Sequence, residues 1–231
     1  MTGAGTAINV VAILVGTGAG LGIGARLPER VRTRVFDGLG LLTLVIGVGG
    51  ALDTDDFRPV LPAVVAGAVA GELLDLDARL TRLGEWIHRR VAAGSESPVA
   101  EAWVTTTLLF CVGPLSILGA FDDALRGDLD RLILKSGLDG VASLAFAASL
   151  GWGVLLSAGS VLVYQGTLTA AAAGLEPLLS GEMIDALGAA GGVLIVGLGL
   201  NLLRISDIRV ANFLPALVFA PGFAALGEVL S

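Results

Sequence analysis

The sequence has very few of the residues that build most catalytic and metal sites. Its 231 residues include one histidine, His88, and one cysteine, Cys111. A zinc site of the usual nitrogen and sulfur type needs several such ligands, and a lone cysteine cannot form an internal disulfide bond. No nucleophile motif stands near His88, so a Ser/His/Asp hydrolase is not supported. We therefore predict no cofactor, no metal site and no enzymatic activity.

Charge is also scarce. Charged residues make up 15% of the chain and the formal net charge is −7, so the basic surface that nucleic acid requires is missing. Among the 14 basic residues only Lys135 is a lysine. The segment Met1–Gly5 lacks the positive residues that open a cleavable signal peptide, and we expect none.

Long apolar stretches fill the chain from Gly5 to Leu230. The mean hydropathy is +0.86 and 55% of the residues are hydrophobic. A helix needs roughly 20 mostly apolar residues to cross a bilayer, and the strand-like alternation of a membrane barrel is absent. The sequence therefore predicts an all-α, polytopic transmembrane helical bundle, forming one domain over residues 1–231. About eight spans are expected, covering about residues 6–27, 35–52, 59–74, 100–121, 132–150, 154–173, 186–203 and 210–229.

The corner Gly151-Trp152-Gly153 leaves an alternative open. Residues 132–173 form either two separate spans or one long kinked helix. We use two spans, because glycine favours a break in the helix.

The loops alternate in charge along the chain. The loops after spans 1, 3 and 7 carry arginines, whereas those after spans 2, 4 and 6 are net acidic. Because basic loops tend to stay cytoplasmic, both termini are predicted to lie outside. The basic segment Asp75–Val91 has an apolar stripe at Leu76, Leu80, Leu83 and Ile87, which predicts a helix on the membrane surface.

This orientation raises the question of an inverted repeat. Spans 1–3 begin outside and spans 4–6 begin inside, and Phe36-Asp37-Gly38-Leu39 in span 2 matches Leu138-Asp139-Gly140-Val141 in span 5 at two residues. Two residues can match by chance. Inverted repeats are nevertheless a common way to build transporters. We take repeats at 1–95 and 99–174, with a terminal helix pair at 182–231, as a hypothesis.

Several blocks of the sequence resemble those of a known family. They are Ala7–Ile13, Gly40–Gly47, Gly67–Leu74, Leu108–Gly113, Ile117–Ala120, Leu134–Gly140 and Gly191–Leu203. Their succession is similar to the domain-of-unknown-function 554 family of bacterial inner-membrane proteins, of the YqgA/YdfK type, over essentially the whole chain. This resemblance implies a location in the cytoplasmic membrane and no established substrate.

Lys135 and Asp139 are the leading candidates for a functional site. They stand four residues apart, so they share a helix face and can pair. With span 5 starting near Leu132, Asp139 lies roughly 10 Å deep at ~1.5 Å per residue. A charge at this depth costs ~2.5–3.5 kcal/mol or more, which favours a functional role. We predict a proton- or ion-coupled site near Ser136 and Ser143. The alternative is a neutralised pair in which Lys135 extends to the outer surface.

Weaker candidates lie in other spans. Asp37 is either a binding residue or an interfacial charge at the positive end of a helix. Glu72 has Arg79 as its expected partner. Asn9, Asn201 and Asn212 are expected to pack helices through hydrogen bonds. The full set of substrate- or ion-binding candidates is Asp139, Lys135, Ser136, Gly113, Pro114, Asn201 and Asp37.

Gly113-Pro114 interrupts span 4, and two interpretations remain. Proline removes one helical hydrogen bond, and the carbonyl group that it frees can coordinate an ion where it lines a cavity. The break is otherwise an ordinary kink.

Five glycines alternate in span 1, from Gly16 to Gly24. A dinucleotide-binding loop would require a preceding strand, and this run lies within a membrane span. Gly16, Gly20 and Gly24 recur every four residues, which predicts a close helix–helix contact.

The leading hypothesis is a membrane transporter or channel-like protein for a small solute or ion. Its partners would be the lipid bilayer and that unidentified solute, with no nucleic acid. A homodimer is compatible with the sequence, but no residue identifies its interface. The alternative is a non-transporting scaffold or sensor that binds a protein partner through Asp75–Val91.

Overall fold

The chain is helical throughout its described part. The computed structural model describes residues 3–24, 28–79, 81–82, 86, 99–111, 114–175 and 178–230, and within these ranges no strand occurs. The α-helices in chain order are α1 (Ala4–Gly24), α2 (Glu29–Leu52), α3 (Val60–Leu74), α4 (Val99–Cys111), α5 (Pro114–Phe121), α6 (Asp130–Leu150), α7 (Leu155–Leu175), α8 (Gly181–Leu202) and α9 (Ala216–Leu230). A π-helix spans Asp122–Arg126, and short 3-10 helices span Trp152–Val154 and Val210–Phe213.

The predicted helical membrane bundle is confirmed, but the described residues show fewer spans than the eight that were expected. Within the described ranges, five helices are long and apolar enough to cross a membrane, or up to six if the bent pair α4 and α5 is one span. The apolar part of α2, Gly40–Leu52, and the whole of α3 are shorter. At ~1.5 Å per residue both fall below the ~30 Å of a bilayer core. The charged residues that begin α2 and the turn that ends α3 set these lengths.

The fourth predicted span is broken. Its two halves, Val99–Cys111 and Ser116–Arg126, meet at an angle of 67°. Across the break, the Ser116 hydroxyl donates to the backbone carbonyl of Phe110 at 3.0 Å. That carbonyl group therefore has a partner within the helix pair. Gly113, which was predicted to help free a carbonyl here, lies outside the described residues.

The corner at Gly151 separates two helices, so the prediction of two spans over residues 132–173 is correct. Gly151 adopts φ +84° and ψ −157°, a conformation that side chains rarely permit. Its backbone N–H bonds back to Ala147 and ends α6. A single 3-10 turn then leads into α7.

The chain divides into two compact units. The first consists of Met1–Leu39, Thr81–Cys111 and Leu115–Leu175, and the second of Gly40–Leu80, Val112–Pro114 and Glu176–Ser231. Neither unit is continuous in sequence. The predicted inverted repeat stays a hypothesis.

In the first unit, α1 and α6 lie in close contact through glycines. A Cβ added at Gly16, Gly20 or Gly24 would overlap backbone atoms of Gly140, Leu144 and Ala148 respectively. The predicted glycine packing face is thus confirmed. Since four residues along α1 correspond to four residues along α6, these helices run parallel. This direction agrees with the prediction that spans 1 and 5 enter the membrane from the same side.

In the second unit, α2 packs antiparallel to α8, and α3 packs antiparallel to α9. Gly47 faces Ile195 and Val196, while Gly67 and Gly71 face Ala216 and Asn212. The core of this unit is made of small apolar residues, namely Val60, Ala63, Ala186, Ala189, Ala190, Ala220 and Ala224. Small side chains bring the helix backbones close together, as is common in membrane bundles.

The segment after α3 is described only in part. Asp75 adopts φ +49° and ends the helix. Leu80, Leu83, Ile87 and His88 lie outside the described residues, so the predicted surface helix stays a prediction.

Candidate functional site: a buried polar cluster

Four polar side chains from three helices of the first unit meet in its interior. We call Asn9 on α1, Lys135 and Asp139 on α6, and Gln165 on α7 the polar cluster. Asp139 is the tenth of the 21 residues of α6, and Gln165 is the eleventh of the 21 residues of α7. Both therefore stand at the midpoint of a candidate membrane span.

Asp139 is the centre of the cluster. Its Oδ2 atom forms an ion pair with the Lys135 ammonium and accepts a hydrogen bond from the Asn9 amide at 2.9 Å. The same Asn9 nitrogen donates to Gln165 Oε1 at 3.2 Å. The cluster thus ties α1, α6 and α7 together through side chains that are more than 100 residues apart in sequence.

All four side chains are removed from the surface. Lys135 is 5% exposed and Asp139 is 7% exposed, while Asn9 and Gln165 are almost completely buried. The interpretation in which Lys135 extends to the membrane surface is wrong. The ammonium group points to Asp139, because a buried carboxylate attracts it more strongly at short range than a distant interface does.

The cluster keeps unused hydrogen-bonding capacity. Asn9 Oδ1 and Gln165 Nε2 are buried atoms without a hydrogen-bond partner among the described residues. The same is true of the hydroxyl groups of Thr6, on the face of α1 that carries Asn9, and of Ser143, one turn beyond Asp139. Leaving a buried polar group unsatisfied costs ~1–3 kcal/mol. Such groups in a native site suit a ligand or water that completes them.

An apolar cluster lies next to the polar one. Ile13 follows Asn9 by one helical turn, and Val161 precedes Gln165 by one turn. These two residues pack with Phe110, Cys111 and Ala158. Apolar packing on this side lowers the local dielectric, which strengthens the attraction between Lys135 and Asp139.

Two further carboxylates are buried at the end of the unit where α1 begins. Asp122 pairs with Arg126 at 2.6 Å and with Arg131. Asp123 accepts hydrogen bonds from the backbone N–H groups of Gly3 at 3.3 Å and Gly5 at 3.0 Å. The sequence assigned both aspartates to an acidic loop. The π-helix instead turns them inward, so that Asp123 caps the N-terminus of α1, where a negative charge is favourable.

Of the other predicted site residues, Ser136 lies nearest the pair in sequence. Its hydroxyl donates to the Leu132 carbonyl at 2.6 Å. Pro114 begins α5 at the break. Asp37 lies apart from the cluster on α2, where it is half exposed and pairs with Arg34 at 3.2 Å.

Asn201, in the second unit, forms hydrogen bonds with the loop that follows its own helix. Its Nδ2 donates to the Ile208 carbonyl at 2.7 Å, and its Oδ1 accepts from Ser206 at 2.8 Å and from the Ile208 N–H at 2.9 Å. These bonds hold the turn that follows α8. Its predicted part in ion binding stays a prediction.

The second unit has a polar contact at the end of α3. Asn212 Nδ2 donates to Glu72 at 2.6 Å, and Asn212 Oδ1 accepts from the Asp77 N–H at 2.8 Å. Arg209 approaches Glu72 at 3.5 Å. Glu72 thus pairs with Arg209, where the sequence had suggested Arg79. The expected hydrogen-bonding role of Asn212 in packing is confirmed.

Sequence reasoning missed Gln165. It is the only glutamine in the chain, just as Lys135 is the only lysine. A single glutamine inside an apolar span was the available signal, because polar side chains in membrane helices usually face a partner. Asn9 was correctly expected to form hydrogen bonds between helices, but its contact with Asp139 was not foreseen.

Comparisons with known proteins agree on one family. The family model described as a protein of unknown function (DUF554) matches residues 4–225. An uncharacterized protein of Escherichia coli (strain K12), YqgA, is 32% identical over 225 residues, covering 96% of each chain. An uncharacterized membrane protein of Bacillus subtilis (strain 168), YdfK, is 29% identical over 221 residues, covering 94% of this chain and 93% of the relative. No solved structure matches.

Proposed function

The chain belongs to the DUF554 family, and we propose that it moves a small ion or solute across the cytoplasmic membrane through the first unit. Asp139 is the residue to which movement is coupled. The membrane location follows from the apolar helices, and the transport role rests on the polar cluster.

The observation that carries the proposal is a buried charged pair inside a membrane span, with Asp139 at its midpoint. Charged residues inside membrane helices are costly, and they usually mark the path of an ion, proton or substrate. Packing alone would be satisfied by apolar residues, since replacing a buried ion pair with well-packed hydrophobic groups is often neutral or stabilising. The unpaired atoms of Asn9 and Gln165 add a polar surface that packing does not require.

Transporters place their binding sites near the bilayer midplane and often use interrupted helices beside them. The break between α4 and α5 follows Phe110 and Cys111, which belong to the apolar cluster next to Asn9 and Gln165. An interrupted helix therefore ends beside the polar cluster.

The alternative is a scaffold in which the pair is structural. One observation favours it, because Asp139 already has two partners, Lys135 and Asn9. A sealed and fully paired carboxylate would have no access to water in any state. The transport function and the scaffold function therefore differ in whether water reaches the polar cluster.

Accessibility is tested with a cysteine at Ser136, in a Cys111→Ser background and in native membranes. The change from serine to cysteine adds little volume, and Ser136 is buried one residue after Lys135. We expect a small, membrane-impermeant thiol reagent to label Ser136→Cys. Ala190→Cys, in the core of the second unit, serves as the buried control and should not react. Asp55→Cys, in the loop after α2, serves as the exposed control.

If the protein is a transporter, we expect the rate at which Ser136→Cys is labelled to depend on pH or on ions. A transporter exposes its binding site to water in only some states. If Ser136→Cys is labelled no faster than Ala190→Cys under every ionic condition, the result would favour the scaffold function over transport. A flux measurement in reconstituted vesicles then follows, in which Asp139→Asn abolishes movement while the protein remains folded.

A further inference from the structure

We propose that the polar cluster binds a small uncharged solute of the urea or primary amide class between Asn9 and Gln165. Such a solute carries a hydrogen-bond donor beside a hydrogen-bond acceptor, and these are the two partners that the cluster lacks among the described residues. The inference rests on the proposed transport function and names the class of solute that is moved. The ion pair of Lys135 and Asp139 stays in place and fixes the orientation of the site.

Asp139 determines which atoms of the two amides remain free. An ion-paired carboxylate only accepts hydrogen bonds, so the Asn9 amide must turn its nitrogen to Asp139, as it does at 2.9 Å. The same nitrogen donates to Gln165 at 3.2 Å, so Gln165 must present its oxygen there. Turning either amide around would place two acceptors or two donors against each other. The free atoms are therefore an acceptor, Asn9 Oδ1, and a donor, Gln165 Nε2.

One small molecule can complete both free atoms. They belong to amides that are already joined through their other atoms, so they lie on neighbouring groups. Asn9 is 0% exposed and Gln165 is 1% exposed, so bulk water does not reach either side chain in this state. A solute N–H group that donates to Asn9 Oδ1, next to a carbonyl group that accepts from Gln165 Nε2, satisfies the site. Urea and primary amides carry these two groups side by side.

A charged ligand fits the two free atoms less well. A cation would bind the Asn9 oxygen but would be repelled by the Gln165 N–H donor, and an anion would meet the opposite conflict. The pair of Lys135 and Asp139 is neutral as a whole, so a bound ion would also add a net charge inside the membrane, which is costly. An uncharged solute adds none. The cluster therefore favours a neutral solute over an ion.

Two hydroxyl groups extend the polar surface in opposite directions. Thr6 precedes Asn9 by three residues on α1, and Ser143 follows Asp139 by four on α6, so each shares the helix face of its neighbour. Because α1 and α6 run parallel, Thr6 lies on one side of the cluster and Ser143 on the other. Both hydroxyl groups are buried without a partner among the described residues. A solute that leaves the cluster thus finds a further hydrogen-bonding group about one helical turn away in either direction.

Apolar side chains limit the size and polarity of the solute. Ile13 and Val161 lie one helical turn from Asn9 and Gln165, and they pack with Phe110. A sugar or another large polyol would press unpaired hydroxyl groups against this apolar surface, which is unfavourable. The class is therefore limited to solutes of a few heavy atoms.

The test measures the passage of neutral solutes into vesicles that contain the wild-type protein. Urea, formamide and acetamide are the probes, and stopped-flow light scattering follows the vesicle volume after each probe is added outside. We expect urea to enter faster than into protein-free vesicles, by a factor that rises with the amount of protein. Sucrose is the control solute and should stay outside, and the shrinkage that it causes measures the passage of water.

Gln165→Met tests the assigned donor. Methionine has nearly the shape of glutamine, and Lys135 and Asn9 still pair with Asp139 in this variant, so the fold keeps these contacts. We expect urea entry to fall about tenfold, because one hydrogen bond to the solute is missing in a buried site. Thr169→Val is the matched control on the same helix, because the Thr169 hydroxyl already donates to the Gln165 backbone carbonyl. It should behave as wild type.

Ser143→Ala is a second variant that spares the fold. It removes a hydroxyl group that has no partner among the described residues, so folding loses no hydrogen bond. We expect urea entry to fall less than in Gln165→Met. Size-exclusion chromatography shows whether each variant is folded. If Gln165→Met does not fold, Ser143→Ala decides, and undiminished urea entry in this variant then overturns the assigned site.

Three outcomes overturn the solute class. They are amide entry no faster than into protein-free vesicles for all three probes, faster water passage without amide entry, which would mean that water alone completes the cluster, and undiminished urea entry in folded Gln165→Met. If the vesicles instead carry an ion whose flux Asp139→Asn abolishes, the transport function stands and only the solute class fails. If Ser136→Cys is also inaccessible to thiol reagents, the transport function fails as well.

Discussion

The two units of this protein solve the packing of membrane helices in different ways. The second unit fills its core with alanine and valine, and its hydrogen-bonded side chains Glu72, Asn201 and Asn212 lie at helix ends. The first unit buries an ion pair and two amides inside its helices, with Asp139 and Gln165 near the helix midpoints. Both use glycine to bring backbones together, at Gly20 and at Gly71 for example.

This difference between the units distinguishes the contacts that folding requires from those that it does not require. A bundle of small apolar residues is stable without mid-membrane charge, as the second unit illustrates. Burying the polar cluster in the first unit therefore costs free energy that the fold does not require. Glycine contacts belong to stability in both units, whereas the role that we propose for Asp139 in the first unit is functional.

The largest effect is expected from breaking the ion pair. Lys135→Met removes the ammonium group and leaves Asp139 as an unpaired buried carboxylate. We expect a loss of about 3–5 kcal/mol in the free energy of unfolding, because an uncompensated buried charge is strongly unfavourable. Unfolding of the purified protein in mixed micelles, followed by circular dichroism, measures this loss.

The double variant Lys135→Met with Asp139→Asn is the control. It removes both charges and should recover most of the lost stability, since the two residues act as one unit. A single variant as stable as wild type would mean that the pair is not desolvated, and would contradict the burial of Asp139.

A smaller loss is expected from the glycine contacts. A leucine at Gly20 would overlap the Leu144 backbone and should destabilise by about 1–3 kcal/mol. Gly18→Leu is the matched control on the same helix, because nothing lies within 4 Å of a Cβ added there. Thermal unfolding in detergent measures both. Equal stability of the two variants would show that α1 does not pack against α6 through Gly20.

Much of this arrangement follows from local patterns in the sequence. Residues at i and i+4 share a helix face, so the sequence predicted that Lys135 and Asp139 face one another and that Gly16, Gly20 and Gly24 form one packing surface. The break at Gly151 was also predictable, because glycine is the residue that tolerates its φ of +84°.

The remaining features depend on which helices become neighbours. The contact of Asn9 with Asp139 spans 130 residues, and that of Asn9 with Gln165 spans 156. No spacing rule within a single helix encodes either contact. Asp123 was assigned to the acidic loop after span 4 because it follows an apolar run, yet the N–H groups of α1 draw it inside. The described residues show fewer spans than expected, because the apolar parts of α2 and α3 are short.

Asn212 offers a test of the second unit's polar contact. Asn212→Ala removes the acceptor of the Asp77 N–H group and the donor to Glu72. We expect a loss of about 1–2 kcal/mol in stability, since the hydrogen-bonding partners are left unsatisfied. Labelling of Ser136→Cys in the first unit should stay unchanged. If Asn212→Ala abolished this labelling while the protein remained folded, the separation of roles between the two units would be wrong.

The smallest effect is expected from an exposed ion pair of the same chemistry, Asp56 with Arg58. Hydrogen bonds from the Arg58 side chain and then from its backbone N–H lower the pKa of Asp56 below its ordinary value of 3.8. The Arg58 nitrogen Nε lies 2.9 Å and 3.0 Å from the two carboxylate oxygens.

Since the pKa of Asp56 is lower in the folded protein, the pair stabilises the protein above the unfolded pKa. This contribution disappears as the pH falls through the folded pKa. Arg58→Gln should therefore raise the pKa of Asp56 in a carbon-13 NMR titration, with only a small loss of thermal stability near neutral pH, because an exposed ion pair contributes little. Water around the loop already solvates both charges, which the interior of the first unit does not do for Lys135 and Asp139. A clear loss of stability at neutral pH in Arg58→Gln would show that burial is not what makes the two pairs differ.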